Sequence, residues 1–278
     1  MAWWTVTLSS PDAEPRSAWL DSLGIVAIQV VAADQVRCCF EAEKDTIAGW
    51  RTNFEALGFE VGEIVEQKES NWPQQCSELL RPIEFSALKI VPLVSQSDLP
   101  KERDPKAIYI IPGLGFGTGH HESTELALKL LERLHTDGMS CTSALDLGTG
   151  SGILALAAAK LFGCKVEACD IDPYALENAS DNLSINSQSF EINLTKGSIG
   201  EFSGAAFDLV IANIYAEVLI DLEPQIQMAV KPGGVLLLSG IMSSLAQQVE
   251  ERFKPPAWLP ERLEKKSGWC AFLVRRSA

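Results

Sequence analysis

Hydrophobic and polar positions follow two different rhythms along the chain, and the change between them divides the sequence. In the first seventy residues the apolar runs are short. Residues 3–8 alternate with period two and predict a strand. Residues 15–23 have helical spacing and stop at Gly24. Residues 25–32 and 35–41 are β-branched runs parted by a turn at Asp34. Residues 45–57 place Ile47, Trp50, Phe54 and Leu57 on one helical face before Gly58, and residues 61–65 predict a closing strand. The order β-α-β-β-α-β is the ferredoxin-like arrangement. Residues 66–105 turn polar and then rich in Pro, Asp and Lys. They predict a connection holding a short helix at 72–80 and a strand at 90–93.

From residue 143 strands and helices alternate regularly. Strands are predicted at 143–147, 165–170, 191–194, 207–212 and 234–239. Helices are predicted at 152–161, 173–183 (with Pro173 in its first turn), 216–229 and 243–253. Residues 263–266 and 269–274, broken by Ser267-Gly268, predict a terminal hairpin. Repeated β-α units imply an α/β fold with a mostly parallel sheet covered on both faces, here ending in antiparallel strands. The layout gives a small module at 1–65, a linker at 66–105 and a larger domain at 106–278.

Chemistry concentrates where strands hand over to helices. Asp146-Leu147-Gly148-Thr149-Gly150-Ser151-Gly152 joins the first strand of the larger domain to its helix. Gly148 and Gly150 allow a tight turn and close approach of backbone to a ligand. A dinucleotide fingerprint needs glycine at 153, where Ile153 stands, and no Walker lysine follows. Asp170 ends the next strand, where a carboxylate can accept both hydroxyls of a ribose. An adenosine site without pyrophosphate points to S-adenosylmethionine. A tight turn required only by the βαβ unit is the plainer alternative. Asn213-Ile214-Tyr215-Ala216 follows the strand at 207–212. The Asn213 amide oxygen can accept from a substrate amine, or Asn213 can simply cap the next helix. Upstream, residues 112–124 carry four glycines within seven positions ahead of a helix predicted at 125–135. This places a lid before the first strand. His120 and His121 within it are readable as a base, a metal ligand or ordinary loop residues.

Composition narrows the partners. The chain holds 37 acids against 23 lysines and arginines, a net charge of −14. That balance opposes the electrostatic attraction on which nucleic-acid binding depends and favours basic partners. Twelve acids against five bases fall within residues 1–70, so half of the net charge sits on a quarter of the chain. Seven cysteines, an odd number, form no C-x-x-C pair, and the three histidines have no metal-ligand spacing. Reduced thiols in a cytoplasm are expected. No signal peptide is expected from the first residues, and no apolar run reaches membrane length.

Taken together, Asn71-Trp72, Phe116-Gly117-Thr118-Gly119, Asp146-Leu147-Gly148, Asp170-Ile171-Asp172-Pro173, Asn213-Ile214-Tyr215-Ala216, Lys231-Pro232-Gly233-Gly234 and Ser239-Gly240-Ile241 resemble the PrmA family. Members of that family methylate a large-subunit ribosomal protein, protein eleven. The Phe-Gly-Thr-Gly-x-His stretch is the most particular of these motifs. The resemblance implies a ferredoxin-like substrate-recognition domain, a linker and a class I S-adenosylmethionine-dependent methyltransferase domain. It implies cofactor contacts at Thr124, Gly148, Gly150, Asp170 and Asn213, with Phe116 and Gly117 over the methionine end. The family's Thr-His-Pro-Thr-Thr stands here as His120-His121-Glu122-Ser123-Thr124, and Gly197-Ser198 stand where an acid for adenine is often found. The expected reaction is methyl transfer to lysine or N-terminal amines of that basic ribosomal protein. Asn213 would orient the amine, and Tyr215 would line its pocket. No metal, direct nucleic-acid contact or membrane is expected. The alternatives are a related enzyme acting on another basic protein, an RNA or small-molecule methyltransferase, and a non-catalytic S-adenosylmethionine-binding module.

Overall fold

The computed structural model describes residues 2–11, 13, 20, 23, 25, 27–32, 34–67, 81–93, 95–111, 121–186 and 190–278. The chain divides into two compact units, Met1–Arg81 and Pro82–Ala278.

In the first unit, β1 (Ala2–Ser9), β2 (Ala27–Ala32), β3 (Gln35–Ala42), helix α1 (Ile47–Ala56), β4 (Glu60–Val61) and β5 (Val65–Gln67) follow one another. The strand order is β2-β3-β1-β4, with β5 also on β1. The interleaving is that of a β-α-β-β-α-β chain. Antiparallel register sets Trp4 against Phe40, Val6 against Cys38 and Leu8 against Val36, so alternate residues of β1 and β3 share one face. All six are buried together with Phe54 and Phe59. Phe40 stacks on Trp50 at 4.3 Å between ring centroids. The strand predicted at 61–65 is split in two. The N–H of Gly62 donates to the Thr7 carbonyl at 3.0 Å, and the chain leaves the sheet before rejoining at Val65. Most of the helix predicted at 15–23, its stop at Gly24 and the helix predicted at 72–80 lie outside the described residues.

The second unit begins with three short strands, β6 (Ile83–Glu84), β7 (Lys89–Pro92) and β8 (Ala107–Ile110), paired in the order β6-β7-β8. Residues 82–105, read from sequence as part of a connection, therefore belong to this unit. Only the strand near 90–93 carries enough β-branched residues to be seen locally. The main elements are α2 (Glu122–Thr136), β9 (Ser143–Leu147), α3 (Ile153–Phe162), β10 (Lys165–Asp170), α4 (Pro173–Asn186), β11 (Ile192–Lys196), β12 (Phe207–Asn213), α5 (Ala216–Ala229), β13 (Val230–Met242), α6 (Ala246–Arg252), β14 (Trp258–Lys266) and β15 (Trp269–Arg276). They build a seven-stranded sheet ordered β11-β10-β9-β12-β13-β15-β14. The first five strands are parallel, and β15 and β14 are antiparallel. Almost every residue of β9 and β12 is buried, as expected where helices cover both faces.

Two boundaries differ from the sequence reading for physical reasons. β13 starts at Val230 because Phe207 pairs with Val230 and Leu209 with Val235, so the Lys-Pro-Gly-Gly turn is a bulge inside the strand. β14 starts at Trp258, but most of it is exposed at the sheet edge and shows no apolar alternation. Among the described residues no helix is long and apolar enough to cross a membrane.

Candidate functional site

The chain leaves β9 toward β10 on one side and leaves β12 toward β13 on the other. This makes a topological switch between neighbouring strands β9 and β12. In open α/β sheets, ligands bind in the crevice beyond the carboxyl ends of the strands at such a point. The loop after β9 carries Gly148 and Gly150, β12 ends on Asn213, and β10 ends on Asp170.

The loop after β9 is held by carboxylates and carbonyls. Asp146 is fully buried, and its Oδ2 accepts from Thr149 Oγ1 at 2.7 Å and from the Ala155 N–H at 3.0 Å. Burial pushes its carboxyl up to about 7. The backbone N–H groups of Gly148 and Thr149 both donate to the Cys169 carbonyl at 2.9 Å. Asp170 accepts the Gly150 N–H on Oδ2 at 2.9 Å and the Asp172 N–H on Oδ1 at 3.0 Å. Each oxygen keeps a lone pair for a further donor.

Asn213 is buried, and its Nδ2 donates to Thr124 Oγ1 at 3.2 Å. Among the described residues its Oδ1 is buried without a hydrogen-bond partner. The helix cap that sequence left open for Asn213 is occupied instead by Tyr215, so the Asn213 amide is free of that task. Thr124 sits in the first turn of α2, and that turn is anchored from two sides. Ser239 Oγ, level with Asn213 in the β12–β13 register, donates to the Ser123 carbonyl at 2.7 Å. His121 caps α2, its Nδ1 accepting the Ser123 N–H at 3.3 Å, and its ring meets Trp269 edge-on at 4.5 Å. Burial pushes the His121 imidazole down to about 4. His121 is thus a neutral cap of α2.

Ile214 is wedged between two glycines. A Cβ on Gly148 would lie 2.4 Å from Ile214 Cγ2, and one on Gly240 would lie 2.6 Å from the Ile214 carbonyl oxygen. Both glycines have positive φ, +73° and +78°. Tyr215 follows with 54 % of its surface exposed.

The structure therefore brings Thr124, Gly148, Gly150, Asp170, Asn213 and Tyr215 to the ends of four neighbouring elements, α2, β9, β10 and β12. Phe116, Gly117 and His120 lie outside the described residues. Sequence reasoning missed Ser239, Ile214 and Gly240 as parts of the site, although the Ser-Gly-Ile motif was visible. It also found no acid after the third strand. The fold brings Glu201 there, its side chain lying over Gly197. Among the described residues no group of three His, Cys, Asp or Glu side chains gathers to hold a metal.

Residues 5–277 match the family model described as ribosomal protein L11 methyltransferase (PrmA). The chain is 36 % identical over 215 residues to the ribosomal protein L11 methyltransferase of Pelobacter propionicus, covering 76 % of this chain and 68 % of that protein. It is 34 % identical over 214 residues to the same-named protein of Caldicellulosiruptor saccharolyticus, covering 77 % and 68 %. The crystal structure of ribosomal protein L11 methylase from Lactobacillus delbrueckii subsp. bulgaricus aligns with a TM-score of 0.61 at 32 % identity, over 71 % of this chain and 99 % of that one.

Proposed function

The chain belongs to the ribosomal protein L11 methyltransferase family, PrmA, and from that premise we propose that the crevice beyond β9 and β12 holds S-adenosylmethionine and that Asn213 presents the substrate amine to it. The enzyme methylates amino groups of ribosomal protein L11. The residues present fit this cofactor. Asp170 has lone pairs for ribose hydroxyls, and Gly148 and Gly150 leave room for close approach. When bound, the cofactor supplies an electrophilic methyl group on a positively charged sulfur.

The single observation that carries the catalytic assignment is the buried, unpartnered Oδ1 of Asn213. Such an acceptor costs about 1–3 kcal/mol, a cost removed when an amine N–H donates to it. The Thr124 bond fixes which end of the amide serves. Nδ2 donates to Thr124, and Oδ1 is the amide atom able to accept from the amine. An acceptor oxygen holds the nitrogen by its hydrogens and leaves the lone pair free to point at the methyl carbon. A lysine is neutral in only about one molecule in 2,500 at pH 7, so loss of a proton must precede transfer. Burial in the crevice favours that loss. The proton can leave to solvent, and much of the remaining task is positioning. Tyr215 is assigned to the wall of the acceptor pocket, Thr124 to the cofactor-facing turn of α2, and Phe116 and Gly117 to the cover of the methionine end. The acidic module at the N-terminus is assigned to docking the basic substrate.

The test is Asn213→Ala. Turnover on L11 should fall on the order of a hundredfold, far more than cofactor affinity measured by calorimetry. Equal losses in binding and turnover would sink the assignment.

A further inference from the structure

Three asparagines stand four residues apart on α4, at 178, 182 and 186, and all are buried. Asparagine is a poor helix former, so Asn178 and Asn182 in the interior carry a cost that something must offset, while Asn186 ends the helix. They face the free edge of β8, whose other edge pairs with β7. Asn186 accepts the Tyr109 N–H on Oδ1 at 2.8 Å and donates Nδ2 to the Tyr109 carbonyl at 2.7 Å. Asn182 accepts the Ile111 N–H at 2.8 Å and donates to the Ile111 carbonyl at 3.3 Å. Asn178 donates to the same carbonyl at 3.1 Å. The match has a geometric cause. Four residues of helix rise about 6 Å, and two residues of strand advance about 6.6 Å. A side-chain amide carries the same donor and acceptor as a peptide group. The helix thereby serves as the missing neighbour strand and covers an edge that would otherwise be open to pairing with another chain.

Asn182 does more than its neighbours. Its Nδ2 also donates to the Ser151 carbonyl at 3.0 Å, within the loop after β9. Ile111, at its other end, directly precedes the glycine-rich stretch at 112–120. One amide thus ties the backbone at Ile111 to the loop after β9, which carries Gly148 and Gly150.

We propose that Asn182 is a positioning residue for S-adenosylmethionine. It holds the loop after β9 at a fixed distance from the backbone at Ile111, while Asn186 bonds the strand edge and the Asn182 carbonyl of its own helix and does not reach that loop. The proposal rests on the reading that the crevice binds this cofactor. The experiment compares Asn182→Ala and Asn186→Ala in the full chain. Melting temperature is read alongside the dissociation constant for S-adenosylhomocysteine, used as the probe in calorimetry. Both truncations should lower the melting temperature. Only Asn182→Ala should raise the dissociation constant, by roughly tenfold or more, with Asn186→Ala within about twofold of wild type. If Asn182→Ala does not fold, Asn182→Ser gives the same comparison at lower temperature. Equal changes in affinity for the two positions, or none for Asn182, overturn the proposal while leaving the methyltransferase reading intact. A wild-type chain that does not bind the probe overturns both.

Discussion

Asp146 and His121 titrate across one pH window with opposite effects on stability. Burial raises Asp146 from 3.8 to about 7, so between those values the folded chain holds a proton that the unfolded chain has lost. Its contribution is present at low pH and fades as pH rises toward 7. Burial lowers His121 from 6.5 to about 4, so the unfolded chain takes up a proton that the folded chain refuses. That contribution is present above pH 6.5 and fades as pH falls toward 4. The two slopes offset each other. In Asp146→Asn, melting temperature should rise with pH from 4 to 7 more steeply than in wild type. In His121→Asn, which keeps an N-cap acceptor, it should fall over the same range. Parallel curves for all three proteins would show that neither group titrates as its burial requires. Asp170 belongs to the same scale. Asp170→Ala removes the acceptor for the Gly150 N–H and the assigned ribose partner together. The cofactor dissociation constant should rise about ten- to a hundredfold by calorimetry, and unchanged affinity would remove the ribose role.

The acceptor loop after β12 is placed by two neighbouring elements, and the clash at each is of a different kind. At Gly148 an added methyl would strike the Ile214 side chain; at Gly240 it would strike the Ile214 backbone. Each substitution also meets a positive φ, a strain of about 1–3 kcal/mol. Gly148→Ala and Gly240→Ala should each cut turnover and melting temperature. Adding Ile214→Ala should return part of the turnover to Gly148→Ala and none to Gly240→Ala, because only the first clash ends at a removable atom. Rescue of both, or of neither, would contradict the wedge. The same contrast explains what sequence could show. The bounds of β9 and β10, the glycine loop between β9 and α3, Asp170 and Asn213 were legible because each joins a local residue signal to the regular β-α alternation. The bond between Thr124 and Asn213 spans 89 residues and exists only once β12 and α2 have packed. An imidazole cap at His121 escapes a search for Ser, Thr, Asp or Asn. The asparagine spacing on α4 was visible, but its partner strand is four residues long, and its pairing is set by the fold.

At the scale of the molecule the charge is distributed as a docking device would require. The net −14 falls half on the first seventy residues. Asp34, Glu43, Asp45, Glu55, Glu60, Glu63 and Glu66 are exposed in the first unit. Among the described residues only Glu66 of these has an ion-pair partner, Lys44 at 3.6 Å. Arg51 donates to the carbonyls of Val61 and Gly62 at 3.0 and 2.8 Å. The field of these exposed acids attracts basic partners. Its range is set by salt. The Debye length is about 10 Å at 0.1 M and about 3 Å at 1 M, so attraction of a basic ribosomal protein should weaken steeply between them. Association rate with L11, measured by stopped flow, should fall about tenfold or more over that range, with dissociation changed less. Replacing Glu55 and Glu63 by Lys should flatten the salt dependence and slow association at low salt. The cofactor dissociation constant should stay unchanged, since that site belongs to the other unit. Association with L11 that ignores salt, or a double variant indistinguishable from wild type at low salt, would remove the acidic module from substrate capture and leave the crevice to recognise the substrate alone.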